Sequence, residues 1–273
     1  MPNGLTNMDN IHANRTAAMR AEEGDGRTGS PSEGQSRTLA MEVFEKIRAD
    51  ILSSRFGPGM KLRFDDLRET YGVGLSPLRE ALSRLAESRL VVATGQRGFR
   101  IPAVSVNDFL DITMVRKEIE GFALSLSVKN GDDAWEARVV GEHHKLALLD
   151  KADKKASDEL WESRHREFHY TLVSSCGSPC LVHLNGLLTD LFDRYRRLSI
   201  PNRMPNAPRT LMHQKIVDAA LNRNVDLAVK YLNEHIDHAA KLIVETLSRR
   251  EERKKRLPKT GKRFKTPAAN SRI

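Results

Sequence analysis

Two histidines four residues apart in SRHREFHYTLV, His165 and His169, share one face of a helix. Leu172 and Val173 continue that face, so both imidazoles point toward a core. His213 precedes Ile216 and Val217 by three and four residues, and His235 follows Leu232 by three and precedes Ala239 by four. Three helical segments thus turn histidines inward. Neutral imidazole ligates zinc and other first-row metals, and an i, i+4 pair on one helix face grips a single ion. The competing reading is a set of core histidines hydrogen-bonded to carbonyls. A hydrolytic metal site also needs a general base. Glu167 sits between the pair, but its helical phase points it away, and no other pairing of a carboxylate with these histidines is visible. His143, His144, His183 and His238 read as surface or packing residues.

A second group of residues lies in GVGLSPLREALSRLAESRLVVATGQRGFRI, residues 72–101. Ser76 reads as an N-cap and Pro77 as the first residue of a helix whose core stripe is Leu78, Leu82 and Leu85. Arg79 projects about 100° around the axis from Leu78, away from that stripe. A helix with a short polar leading end brings its backbone close to phosphates and bases, and arginine bonds a guanine edge or a phosphate. LVVATGQRGFRI alternates enough for two strands around a glycine turn, with Gln96, Arg97 and Gly98 at the tip. The alternative is a small helical subdomain with a hairpin that binds nothing.

These side chains need elements to hold them. Leu39, Val43, Ile47 and Ile51 mark a helix that stops at FGPGMKL. A short helix follows, with Phe64, Leu67 and Tyr71 as its stripe and Asp65 and Asp66 at its positive end. With the helix after YGVG and the hairpin, this makes a winged helix-turn-helix over 37–103. Six helical patterns come next, near 107–129, 133–151, 156–175, 180–199, 207–222 and 225–248. They are joined by breaker-rich links and predict an all-α antiparallel bundle over 104–248. The fold class is therefore mainly α. Residues 1–36, without apolar periodicity, read as a disordered arm, and 249–273 as a disordered basic tail that either touches nucleic acid or is simply solvated.

The 273 residues carry a net charge of +9. Residues 249–273 hold 11 basic and 2 acidic side chains, and 37–103 hold 12 and 8. This asymmetry implies a polyanionic partner at one end of the chain and something else in the middle. No apolar run approaches the roughly 20 residues of a membrane span, and the polar N-terminus lacks a signal-peptide core, so a cytoplasmic protein is expected. Cys176 and Cys180 read as free thiols near a helix end.

FGPGMKL, GVGLSPLREAL and GQRGFRI resemble the N-terminal domain of the GntR family of bacterial transcription regulators. The family signature Val-Ser-Arg-Thr-Pro-Val-Arg-Glu-Ala-Leu falls on Val73–Leu82, with Gly74 in place of Ser and Leu75 in place of an Arg that normally contacts DNA. The resemblance implies DNA contacts from Ser76, Pro77 and Arg79, and from Gln96, Arg97 and Gly98 in the wing. Residues 108–247 resemble the helical ligand-binding (FCD) domain of the FadR-type branch, through VRKEIEGFAL, REFHYTLVSSCGSPCL and HQKIVDAALNRNVDLAVKYLNEHI. Many members hold a divalent metal with one Asp and three His. His169, His213 and His235 take the histidine positions, and His165 stands where the Asp would be. The resemblance implies a divalent transition metal, zinc first and nickel or another as alternatives, and a small carboxylic-acid effector with Arg116 clamping a second carboxylate. The expected protein is a homodimeric, metabolite-responsive repressor released from a near-palindromic double-stranded DNA operator. The rival readings are a metal-dependent enzyme with a DNA-binding anchor and an effector-independent architectural protein.

Overall fold

The computed structural model describes residues 33–95, 98–151, 158–199 and 208–256. The first helix, α1 (Glu33–Leu52), buries Ala40, Val43, Ile47 and Ile51. It starts four residues before Arg37, the expected edge of order. A glycine-proline loop then leads to a strand, β1 (Lys61–Leu62), that the sequence did not announce. Two residues are too few to show alternation, and only the ladder reveals them. Next come α2 (Phe64–Tyr71) and α3 (Leu75–Glu87), joined by a turn in which Gly72 adopts φ 65° and donates its N–H to the Arg68 carbonyl. Only a residue tolerant of left-handed backbone ends α2 there without strain.

α3 begins earlier than expected. Its N-cap is Gly74, and Ser76 and Pro77 are its second and third residues. Proline is tolerated at the third position because that N–H has no intrahelical acceptor. The Ser76 hydroxyl, freed from capping, is exposed. β2 (Val92–Ala93) and β3 (Phe99–Arg100) complete an antiparallel sheet in the order β1-β3-β2. The loop between β2 and β3 is closed by the Thr94 N–H and hydroxyl, which both donate to the Gly98 carbonyl at 2.8 and 3.0 Å. Leu62, Leu67, Leu78, Leu82, Leu85 and Ile101 fill the core of this winged helix-turn-helix.

The bundle follows: α4 (Val106–Asn130), α5 (Asp133–Lys151), α6 (Asp158–Val173), α7 (Pro179–Ser199), α8 (Pro208–Leu221) and α9 (Val225–Arg256). Each described end lies within two residues of the periodicity, except that α9 runs eight residues beyond 248. The stretch read as the start of a disordered tail, RREERKKR, is made of good helix formers, and Arg249 pairs with Glu245 one turn back. α4 packs along α9 and α7, α5 against α6 and α8, and α8 against α9. The core holds Phe109, Trp135, Phe168, Phe192, Tyr195 and Ile236. α1 also touches α7, so the two halves meet through helices as well as through the chain.

Candidate functional site

Two places among the described residues gather candidate functional side chains. The first is the leading end of α3. Ser76 and Arg79 are exposed there, and the Arg79 guanidinium lies 5.2 Å from the centre of the Phe64 ring. A cation resting on an aromatic face is held pointing outward rather than sweeping freely. Pro77 is buried. It shapes the turn from within the core and offers DNA no surface of its own, because the helix starts two residues before it. Gly98, with φ 90°, lets the wing turn sharply, while Gln96 and Arg97 lie outside the described residues. Lys61 on β1 stands opposite Arg100 on β3, and both are exposed. That pair of cations escaped the sequence reading because the strand carrying Lys61 did.

The second place is the heart of the bundle. His165 and His169 from α6, His213 from α8 and His235 from α9 are all buried, and one ring nitrogen from each lies within 4.8 Å of the others. The Nε2 atoms of His213 and His235 are 3.4 Å apart. Ligands at about 2.0–2.1 Å around a tetrahedral zinc stand roughly 3.3 Å from one another, so this spacing suits a shared ion. His169 Nδ1 is 2.9 Å from Glu120 Oε1 on α4, while its Nε2 is buried with no hydrogen-bond partner. A carboxylate on Nδ1 fixes the proton there and leaves Nε2 as a lone pair, the form a metal ligand needs. Burial, followed by repulsion from the neighbouring histidines and Arg196, pushes the His165 pKa well below its ordinary value. Burial and the charges of His213 and His169 do the same to His235. Both are therefore neutral, and neutral imidazole is the ligating form. The donor set fits a divalent transition metal.

Glu120 supplies the carboxylate contact to a histidine that sequence reading did not find. It stands on α4, remote in sequence from all four histidines, and only packing brings it to His169. Burial opposes its ionisation, but Arg116, whose Nε donates to Oε2 at 2.6 Å, and His169 outweigh that and hold its pKa at about 2. Such a weak base, with both oxygens engaged, is a poor proton acceptor. Glu167 is exposed, as its helical phase requires. Arg116 is buried, with its guanidinium 4.4 Å from the Phe192 ring centre. His143 packs near Phe168, and His144, His183 and His238 are exposed.

The cluster is wired to the first domain. Trp161 stacks on His165 at 4.7 Å and an interplanar angle of 19°, and the Arg196 guanidinium lies 5.7 Å from the Trp161 ring. Arg196 pairs with Glu162 and Asp193, and Asp193 accepts from Arg166 Nη2 at 2.6 Å. Arg166, the neighbour of His165 in the chain, also pairs with Asp190. Asp190 in turn accepts from both Nε and Nη2 of Arg48 on α1, the latter at 2.6 Å. One buried carboxylate is thus shared by the histidine helix and the winged helix-turn-helix.

Comparison with known proteins agrees with this layout. Residues 39–101 match the model of bacterial regulatory proteins of the gntR family, and residues 111–238 match the FCD domain. The chain is 36% identical over 213 residues to the HTH-type transcriptional regulator BphR of Paraburkholderia xenovorans (strain LB400), covering 76% of this chain and 86% of BphR. The chain belongs to the GntR family. A second GntR relative, the HTH-type transcriptional repressor GlaR of Escherichia coli (strain K12), is 34% identical over 203 residues, covering 72% of this chain and 92% of GlaR. The solved structure of E. coli McbR/YncC shares the fold, with a TM-score of 0.66 over 77% of this chain and 98% of that one, at 20% identity. As a GntR protein with an FCD domain, the chain is a DNA-binding transcription regulator. Among the described residues, no helix is long and apolar enough to cross a membrane.

Proposed function

We propose that this GntR protein is a homodimeric, metal-containing repressor that a small organic acid releases from its operator. The observation that carries the reading is the buried four-histidine cluster, tied by Glu120 on one side and by Trp161 and Arg166 on the other. Histidines that served packing alone have no need of convergent lone pairs. A divalent metal, zinc first and nickel as the alternative, supplies an electrophilic centre for a carboxylate oxygen. Arg116 clamps the effector's second carboxylate through its terminal nitrogens, since its Nε is held by Glu120. Repression is read from GlaR, whose name carries it.

Ser76, Arg79 and the wing residues Gln96, Arg97 and Gly98 form the DNA-reading edge, with Pro77 setting its shape. Dimerisation is supported by large apolar side chains on the outer face of α4, where Leu110, Met114 and Phe122 are about half exposed beside Glu118. A two-fold dimer calls for a near-palindromic operator. The enzyme reading is disfavoured because both oxygens of Glu120, the carboxylate beside the cluster, are already engaged, one by Arg116 and one by His169.

Elemental analysis of wild type beside His169→Ala tests the proposal, with operator binding followed by fluorescence anisotropy as carboxylic acids are added. One metal per chain, lost in the variant, and release of DNA by an acid are expected. A chelator-free wild type without metal would remove the metal sensor. Tight metal with no acid response would leave the architectural reading.

A further inference from the structure

Three arginines are buried among the described residues, and two have carboxylate partners: Arg116 with Glu120, and Arg196 with Glu162 and Asp193. Arg194 on α7 is 3% exposed and has no ion-pair partner among the described residues. Its Nη1 donates to the Pro102 carbonyl at 3.0 Å, its guanidinium lies 4.8 Å from the Tyr195 ring centre, and its Nε is buried without a hydrogen-bond partner. The acids nearby are engaged elsewhere. Asp190, one turn earlier, serves Arg48 and Arg166. Asp108 accepts from Arg89 at 2.8 Å and from the Tyr195 hydroxyl at 2.6 Å. Burial pushes the Arg194 pKa down, with Tyr195 and Asp108 partly restoring it. A buried guanidinium without a direct carboxylate contact is costly, and a bound anion offsets part of that cost.

Arg194 lines a cleft of about 470 Å³ at the junction of the two domains. Arg89 and Asp108 share the lining, with Val91, Ile112 and Leu191 as apolar walls. The Arg89 side chain is 59% exposed, so it stands at the cleft's opening. That volume falls within the range of small-molecule sites, about 300–1,000 Å³. We propose that this cleft is an anion site separate from the histidine cluster, taking a small carboxylate or phosphate on Arg194 with Arg89 as the outer contact. Guanidinium presents paired N–H groups that match both oxyanions. The walls come from both domains, with Val91 beside β2 on one side and α4 and α7 on the other. A ligand there touches both and biases their relative placement.

The test is a titration of full-length, metal-loaded protein with inorganic phosphate, acetate and succinate, followed by thermal midpoint. At least one should raise the midpoint saturably, by roughly 3–5 °C at about tenfold above half-saturation. The effective anion tells phosphate from carboxylate as the source. The same rise is expected in His169→Ala and should be absent in Arg194→Met. Arg89→Gln, an exposed change that leaves the core alone, should raise the half-saturation concentration about tenfold, and carries the test if Arg194→Met does not fold. No saturable rise with any of the three anions overturns the proposal. So does a rise unchanged in both arginine variants, and a rise lost in His169→Ala assigns the anion to the histidine cluster instead.

Discussion

Glu120 sets the state of two neighbours at once. It holds the His169 proton on Nδ1 and neutralises Arg116. Glu120→Gln keeps the shape and removes the charge, so metal affinity should fall about 10- to 100-fold, measured by competition with a chromogenic chelator. It also leaves Arg116 buried without its counter-charge, which should cost about 3 kcal/mol in urea melts. Asp193 carries a pH signature. Burial opposes its charge, but Arg196, Arg166 and Arg116 hold its pKa at about 2, against 3.8 ordinarily. A folded pKa below the unfolded one means stability that is complete above about pH 4 and lost as pH falls to about 2. The loss is about 2 kcal/mol, and Asp193→Asn should flatten that part of an acid melt. At the DNA edge, Arg79→Ala should weaken operator binding by about 1–3 kcal/mol, read by gel shift. Binding equal to wild type would remove Arg79 from the interface.

At the scale of elements, the α2–α3 turn decides where α3 points. Gly72→Ala forces a side chain into left-handed backbone, and should cost about 1 kcal/mol. Its thermal midpoint should fall by roughly 2–4 °C. α6 carries the second decision. One face holds His165, His169 and Phe168 in the core, while the next residue round, Arg166, reaches to α7. The same helix therefore touches the cluster with one face and Asp190 with the next.

For the whole molecule, the joint between domains is ionic and partly buried. Arg48 on α1 and Arg166 on α6 converge on Asp190, so the pose of the DNA-binding domain and that of the histidine helix share one carboxylate. Arg48→Ala removes the link and leaves the cluster intact. It should keep wild-type metal content and lose most of the acid-induced fall in operator affinity proposed for wild type. Full retention of that change would show that the domains are coupled by another route.

The two halves, the helix-turn-helix and the inward histidines were legible because each rests on local periodicity. Spacing of three and four along one helix fixes which side chains share a face, whatever the helix packs against. The sequence therefore determined that His165, His169, His213 and His235 would face a core, and that Arg79 would face out. It misplaced the start of α3 by two residues, since a glycine cap leaves no side-chain signal. It missed β1, which exists only through its partner strand. Tertiary structure alone decided that the four histidines meet at one point, that Glu120 stands behind His169, and that Asp190 is shared between domains. These contacts join residues far apart in the chain, and their geometry is set by how helices pack, which no local pattern encodes. That Arg194 has no ion-pair partner among the described residues belongs to the same class: a charge reads alike in any sequence, and only the fold shows which carboxylates reach it.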